Sequence, residues 1–159
     1  MEQRASTRHQ AANRDGILSY RSMAPKLRIR LRTGWRPADN PAVPTYKREA
    51  SSDSGALQFS VAQFRHGTVP NATEQTLVAM CENLTMKVRG RRDVVTGSGP
   101  CELGMYGTMA VRGDFPVRFQ AWVLSNGQDF ILVTHTCGSE PDPEEIRQAN
   151  EIALMTGYG

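Results

Sequence analysis

The stretch VRFQAWVLSNGQDFILVTHT, Val117–Thr136, contains the strongest local signal in this chain. Two runs rich in β-branched and aromatic residues flank Asn126-Gly127, the favoured pair for a two-residue type I′ turn. The pattern therefore predicts an antiparallel hairpin whose register follows from the turn. The residue pairs expected to face each other are Ser125 and Gln128, Val123 and Phe130, Ala121 and Leu132, and Phe119 and Thr134.

The two faces of this hairpin differ in polarity, because successive residues of a strand point to opposite sides. One face is apolar and is expected to be covered by helices; it carries Phe119, Ala121, Val123, Phe130 and Leu132. The other face mixes apolar and polar side chains, namely Trp122, Leu124, Ile131, Gln120, Arg118 and His135. The mixed composition predicts a face that is partly available to a partner.

A helix is predicted immediately after the hairpin, in PDPEEIRQANEIALM. Asp142 is a suitable N-cap, Pro143 fits the first helical position, and Glu145 completes the spacing of a capping box. The acidic residues here are therefore interpreted as initiating a helix and not as catalytic groups. The predicted buried stripe consists of Ile146, Ala149, Ile152 and Ala153, and Gly157 ends the helix.

A second apolar stripe with helical spacing precedes the hairpin in the sequence. Its members are Leu77, Met80, Cys81, Leu84 and Val88. They predict a helix over residues 72–88, with Asn71 as N-cap and Gly90 as the stop.

Several shorter segments read as further strands. KLRIRLRT, residues 26–33, alternates strictly between cationic and apolar residues. Residues 46–49 and the segment ALQFSVAQF, which begins at residue 56, are predicted to form a hairpin.

Glycines complicate the strands between the first helix and the hairpin. Residues 93–96 are predicted as a short strand that GSGP, residues 97–100, interrupts as a turn, followed by a strand over residues 101–111. Gly104 and Gly107 would weaken that strand unless they mark a bulge or admit a close neighbour.

Together these elements predict an α+β fold. We expect a single antiparallel sheet of about six or seven strands, with two main helices packed on one face, and one domain over residues 26–159. The helix residues expected in the core are Leu77, Met80, Leu84, Ile146, Ala149 and Ala153.

Charge is distributed unevenly along the chain. Residues 1–36 contain nine lysines and arginines against two acidic residues, a net charge of +7, and the remainder contains ten against fourteen, a net charge of −4. Residues 1–25 lack a sustained pattern and are predicted to be a basic extension that is disordered or a mis-assigned start. The sequence contains no membrane span or secretory signal, so we expect a cytoplasmic protein.

The cysteines and histidines give little support for catalysis. Cys81, Cys101 and Cys137 are expected to be reduced, and neither Cys-x-x-Cys nor His-x-x-x-His spacing occurs, so no metal site and no cofactor are predicted. The remaining enzymatic alternative combines Cys101 or Cys137 with His135 as nucleophile and base.

The cationic first strand is the most unusual surface feature, and Arg89, Arg91 and Arg92 form a second cluster. Three interpretations are open: a solvated edge kept from pairing by its charge, a surface for an acidic protein, or a surface for nucleic acid or lipid headgroups. No aromatic residues alternate with these cations to stack on bases. The candidate partner-binding surface comprises Lys26, Arg28, Arg30, Arg32, Arg118, Gln120 and Trp122.

The order of elements resembles the PsbP/Mog-like α/β fold and its bacterial relatives of unknown function. The resemblance rests on TGW at residues 33–35, SGALQFSVAQF, DFILVTHT and PDPEEIRQANEIALM. Members of this family are mostly binding proteins: photosystem subunits, a Ran GTPase partner and chaperones for type VI secretion effectors. The resemblance implies a non-enzymatic module without catalytic residues.

The function predicted from the sequence is therefore protein binding, as in a bacterial immunity protein or a secretion-system adaptor or chaperone, by a monomer or homodimer. The alternatives are a cysteine/histidine-dependent enzyme and binding of nucleic acid through the basic first strand.

Overall fold

The computed structural model describes residues 26–39, 42–49, 54–63, 72–114, 117–138 and 140–159. The chain divides into two compact units. In the described ranges the first unit holds residues 26–28 and 158–159, and the second unit holds residues 29–157. The predicted N-terminal extension, residues 1–25, lies outside the described residues.

The two described segments of the first unit are joined by a small two-stranded sheet, in which Gly157 alone belongs to the second unit. Strand β1 (Leu27–Arg28) pairs with β9 (Gly157–Tyr158), and the Gly159 N–H donates to the Lys26 carbonyl at 2.9 Å. The prediction of a strand over residues 26–33 is therefore wrong beyond Arg28. A turn explains this: the Trp35 N–H donates to the Arg32 carbonyl at 3.1 Å and redirects the chain.

The second unit is built on a seven-stranded sheet in which all neighbours are antiparallel, in the order β2-β3-β4-β8-β7-β6-β5. Its strands are β2 (Trp35–Pro37), β3 (Thr45–Arg48), β4 (Ala56–Gln63), β5 (Arg92–Pro100), β6 (Met105–Arg112), β7 (Val117–Ser125) and β8 (Asp129–Gly138). The helices are α1 (Glu74–Thr85) and α2 (Pro143–Leu154). The predicted α+β architecture and the hairpin now seen as β3 and β4 are confirmed.

The two helices lie on opposite faces of this sheet, and the prediction that both cover one face is wrong. Helix α1 packs Leu77 and Cys81 against Ala121 and Val123 of β7. Helix α2 contacts Trp122, which lies between Ala121 and Val123 and points to the opposite face. Trp122 Nε1 donates to Asn150 Oδ1 of α2 at 3.1 Å. The face that carries Trp122 is apolar enough to bury a helix, because the register of β4 adds Leu57 and Phe59 to it. Its fully buried apolar side chains are Leu57, Phe59, Trp122, Leu124, Ile131 and Val133.

The central hairpin is present, but its register differs from the prediction by two residues. Ser125 pairs with Phe130 and not with Gln128, and the other pairs shift in step. Asn126 causes the longer loop, because its Oδ1 accepts the N–H groups of Gln128 at 2.9 Å and of Asp129 at 2.7 Å. A shift of two residues leaves every side chain on its predicted face.

Helix α1 is shorter than predicted and begins differently. Thr73 is the N-cap, since its Oγ1 accepts the Thr76 N–H at 3.2 Å; the predicted cap, Asn71, lies outside the described residues. Gly107 lets the helix approach the sheet, as a Cβ there would lie 2.6 Å from the Leu77 carbonyl carbon. The prediction that Gly107 admits a close neighbour is confirmed.

Strand β5 continues through the glycines that were predicted to form a turn. The strand lies at the edge of the sheet, where a proline without an N–H, such as Pro100, is tolerated at the strand end. The turn lies instead between Cys101 and Gly104, whose backbone groups exchange two hydrogen bonds of 3.1 Å. The next strand therefore starts at Met105.

Candidate functional site

A buried histidine, His135 on β8, meets a buried carboxylate, Glu145 on α2. His135 Nε2 lies 3.0 Å from Glu145 Oε1, and the two side chains are 0% and 4% exposed. The Gly55 N–H donates to the same carboxylate oxygen at 2.6 Å. Because a carboxylate only accepts, His135 carries a proton on Nε2 when it makes this bond. The pair therefore joins β8, α2 and the residue that leads into β4.

Glu145 faces inward and does not complete the predicted capping box. The predicted N-cap is confirmed, since Asp142 Oδ1 accepts the Glu144 N–H at 3.0 Å. Arg48 Nη1 holds the other Asp142 oxygen at 2.7 Å. Glu145, at the third position of the helix, therefore points toward the sheet, where its polar partner is His135.

Burial acts to raise the pKa of Glu145, but other effects outweigh it. Hydrogen bonds from His135 and the Gly55 N–H, together with the positive charge of Arg48, hold the pKa of this carboxyl below its usual value. Glu145 is therefore a carboxylate at neutral pH inside the protein.

Cys137 lies on the same sheet face as His135 but lacks the properties of a nucleophile. Burial raises the pKa of this thiol to about 11, although nearby Arg118 acts to lower it. At neutral pH the group is a thiol, and the reactive form is the thiolate. The Trp35 ring covers His135 at a centroid distance of 6.4 Å. The cluster is closed to solvent, so its geometry suits a structural tie between elements.

Cys101 does not complete the alternative Cys/His pair. It lies in the turn between β5 and β6, and β7 separates β6 from β8, which carries His135. Burial raises the pKa of the Cys101 thiol as well.

A solvent-facing groove lies over β5, β6 and β7, on the sheet face that α2 covers elsewhere. Its volume is about 470 Å³. Its lining residues are Asp93, Val95, Thr96, Thr108, Ala110, Val111, Arg112, Arg118 and Gln120. The groove exists because α2 packs on the half of this face around Trp122 and leaves the other half open.

A chain of hydrogen bonds fixes one wall of the groove. Arg118 Nη2 donates to Gln120 Oε1 at 2.8 Å, and Gln120 Nε2 donates to Thr108 Oγ1 at 3.0 Å. Thr108 Oγ1 in turn donates to the Ala121 carbonyl at 2.7 Å. Among the described residues, the Arg118 guanidinium is thus oriented by a neutral partner, the Gln120 amide.

The groove is cationic. Arg112 lies directly opposite Arg118 in the β6–β7 register. Burial lowers the pKa of Arg118, and the positive charge of Arg112 contributes in the same direction. Arg118 Nη1 is buried without a hydrogen-bond partner. Within the described ranges, the groove is also lined by the carboxylate of Asp93, whose Oδ2 lies 4.0 Å from Arg112 Nε.

The residues of the predicted partner surface do not form one site. Arg118 and Gln120 line the groove, but Trp122 is fully buried beneath α2, so its placement on an open surface is wrong. Arg30 and Arg32 are exposed, and Arg32 pairs with Glu151 at 2.8 Å. Lys26 and Arg28 belong to the first unit.

Two arginines of the second predicted cationic cluster, Arg91 and Arg92, make local contacts. Arg91 donates to Thr85 Oγ1 at 3.0 Å and Arg92 lies 3.4 Å from Asp114. Sequence reasoning missed Arg112 as a site residue. The signal that could have found it is the turn near Gly113, which sets two arginines opposite each other.

The outer side of β5 borders the groove. This strand of nine residues is last in the sheet order, and no strand pairs with its outer side among the described residues. It carries Val94 and Val95, which are 47% and 65% exposed. Its register with β6 is irregular between Arg92 and Val95, where Asp93 has a φ of 52°.

Two solved structures are similar to this fold. LpqN, described as involved in cell envelope biogenesis of Mycobacterium tuberculosis, matches with a TM-score of 0.61 at 9% identity, over 84% of this chain and 83% of LpqN. Cyanobacterial PsbP (CyanoP) from Synechocystis sp. PCC 6803 matches with a TM-score of 0.50 at 12% identity, over 85% of this chain and 94% of CyanoP. This chain has a PsbP-like fold.

The PsbP-like fold confirms the resemblance found in the order of elements. No protein-family model matches the sequence, and no curated protein matches it significantly. At these identities the likeness is one of fold alone. In the described ranges neither α1 nor α2 is long and apolar enough to cross a membrane.

Proposed function

We propose that this protein is a non-enzymatic binding module that holds an extended segment of another protein along β5. The observation that carries the proposal is the edge strand β5, which exposes Val94 and Val95 and whose Val95 lines an open groove. An immunity protein or a secretion-system adaptor would use such a surface to hold a client.

Strand addition suits this edge for two reasons. An edge strand presents unpaired N–H and C=O groups, which supply affinity to an added strand, while neighbouring pockets supply specificity. Apolar side chains at an edge are otherwise an aggregation hazard, and charged residues usually protect such positions. Val94 and Val95 instead expose apolar surface where a partner would bury it.

The cytoplasm is part of this proposal. All three cysteines are free, which suits a reducing compartment. LpqN is described as acting in cell envelope biogenesis, so fractionation of the native host is the direct check on this point.

Photo-cross-linking in the native host tests the proposed surface. A photoreactive phenylalanine analogue is introduced at Val95 or, as a matched control, at Met86, which is 66% exposed at the end of α1. We expect a discrete cross-linked adduct of higher mass from position 95 and not from position 86. Equal adducts at both positions, or none at position 95 in a folded protein, would contradict the proposal.

A further inference from the structure

We propose that the segment held along β5 is acidic and that the groove beside this strand binds its carboxylates. This inference rests on the proposed function and adds the chemistry of the partner. The site comprises Arg112, Arg118 and the polar wall that positions Arg118, namely Gln120 and Thr108.

The charges in the groove favour an anionic occupant. Among the described residues, two guanidinium groups, of Arg112 and Arg118, and the carboxylate of Asp93 line it. Arg112 and Arg118 face each other across β6 and β7, so their mutual repulsion is relieved when an anion binds between or beside them. Guanidinium groups are also the side chains best suited to hold carboxylates through paired hydrogen bonds.

Arg118 is oriented before any ligand arrives. Its Nη2 donates to the neutral Gln120 Oε1, and Gln120 in turn donates to Thr108. In the described part of the chain, no carboxylate forms an ion pair with Arg118. A preorganised guanidinium loses less side-chain freedom on binding than a solvated one, which strengthens binding. Burial of Arg118 also makes its field weakly screened by water.

The distances fit a strand added to β5. Neighbouring strands lie about 4.8 Å apart, so an added strand would run about 10 Å from β6. An arginine and a glutamate that reach toward each other span this gap, which puts Arg112 in range of the partner. Arg118, one strand further, acts on the same carboxylates at longer range through the field in the groove.

A strand contributes every second side chain to one face. The partner side chains above the groove would lie on the same face as Val95, which pairs with Ala110 in the groove floor. We therefore expect acidic residues at alternate positions of the partner segment, with β-branched residues between them or next to them.

The charge of the protein's own N-terminal sequence does not favour its binding in the groove. Residues 1–25 contain Arg4, Arg8, Arg14 and Arg21 against Glu2 and Asp15. This segment has the same sign of charge as the groove, so a partner from another protein is the better fit.

Selection from a random library of displayed 12-residue peptides tests the inference on the full-length protein. The wild type is compared with the double variant Arg112→Gln/Arg118→Gln. The charge-matched control is Arg30→Gln/Arg36→Gln, which removes two exposed cations outside the groove. Circular dichroism and thermal unfolding verify that all three proteins are folded.

We expect the wild type and the control to enrich peptides with at least a twofold excess of Asp and Glu at alternate positions over the input library. The groove variant should still enrich β-forming peptides, but without the acidic excess. Enrichment of peptides without any acidic excess on the wild type would overturn this inference and leave strand addition intact. Failure to enrich any peptide would contradict the proposed function itself. Loss of the acidic excess in the control as well would also overturn the inference, because the charge effect would then not belong to the groove.

A competition experiment separates acidic protein from nucleic acid. A synthetic copy of the most enriched peptide, carrying a fluorophore, is displaced by the unlabelled peptide or by single-stranded DNA of equal charge. We expect displacement by the peptide at an at least tenfold lower concentration. Equal displacement by DNA would overturn the assignment to an acidic protein segment.

Discussion

His135 and Glu145 form a buried contact, although neither residue stands out in the sequence. A histidine near a strand end and a glutamate at the third position of a helix are common, and the second fits a capping box. The structure joins them at 3.0 Å inside the protein, with the Gly55 N–H on the same oxygen. Such a pair stabilises the fold only while both members are present, because either one alone is a buried polar group without its partner.

Substitution of Glu145 is therefore expected to be strongly destabilising. The variant Glu145→Ala should lower the free energy of unfolding by about 2 to 6 kcal/mol, since it leaves the buried N–H groups of His135 and Gly55 without an acceptor. Urea unfolding measures this, with Glu144→Ala as the control, whose exposed side chain pairs with Arg147 on the surface. Similar losses in the two variants would contradict the role given to Glu145.

The same residue predicts a dependence of stability on pH. The pKa of Glu145 is lower in the folded protein than its usual value of about 4.3, so the folded state favours the carboxylate. Its contribution is complete at pH values above the unfolded pKa and is lost as the pH falls through the lower, folded pKa. Urea unfolding between pH 7 and pH 3 should show the wild type losing its advantage over Glu145→Gln in the acid range. A constant difference across this range would contradict the assignment.

Local side-chain chemistry predicts where the helix after β8 begins, but it does not predict how the strands pair. The N-cap Asp142 and the helix after it follow from side-chain chemistry within a few residues. The hairpin register did not follow, because Asn126 holds two further N–H groups with its side chain and lengthens the loop. The extent of β5 also could not be derived locally, since Gly97, Gly99 and Pro100 are typical of a turn, and the proline is tolerated at the end of a strand that lies at the sheet edge.

Gly107 sets the distance between α1 and the sheet. A Cβ at this position would meet the backbone of α1 at Leu77 and Val78, which cannot move independently of the helix. The variant Gly107→Ala should lower the free energy of unfolding by about 1 to 3 kcal/mol, as for other overpacked cores. The matched control is Gly138→Ala in β8, where an added Cβ has no neighbour within 4 Å. Equal stability of the two variants, measured by urea unfolding, would exclude this close approach.

At the scale of the second unit, the placement of α2 determines which surface is free. The sequence predicted the apolar face of the central hairpin, but it could not show that β4 pairs with β8 and adds Leu57 and Phe59 to the opposite face. Helix α2 covers that apolar part and leaves β5, β6 and the start of β7 open. Thus Trp122, a candidate site residue on sequence grounds, is core, whereas Arg118 and Gln120 border the open groove.

The edge strand β5 is the surface on which the proposed function depends, and its amide hydrogen exchange tests that role most directly. Exchange is followed residue by residue by NMR in the free protein and after addition of the most enriched peptide from the library. Backbone amides within Arg92–Pro100 that point away from β6 should exchange rapidly in the free protein and become protected by at least tenfold with the peptide bound. Protection that appears instead at the opposite edge, Trp35–Pro37, or nowhere in β5 despite saturation with peptide, would contradict the account.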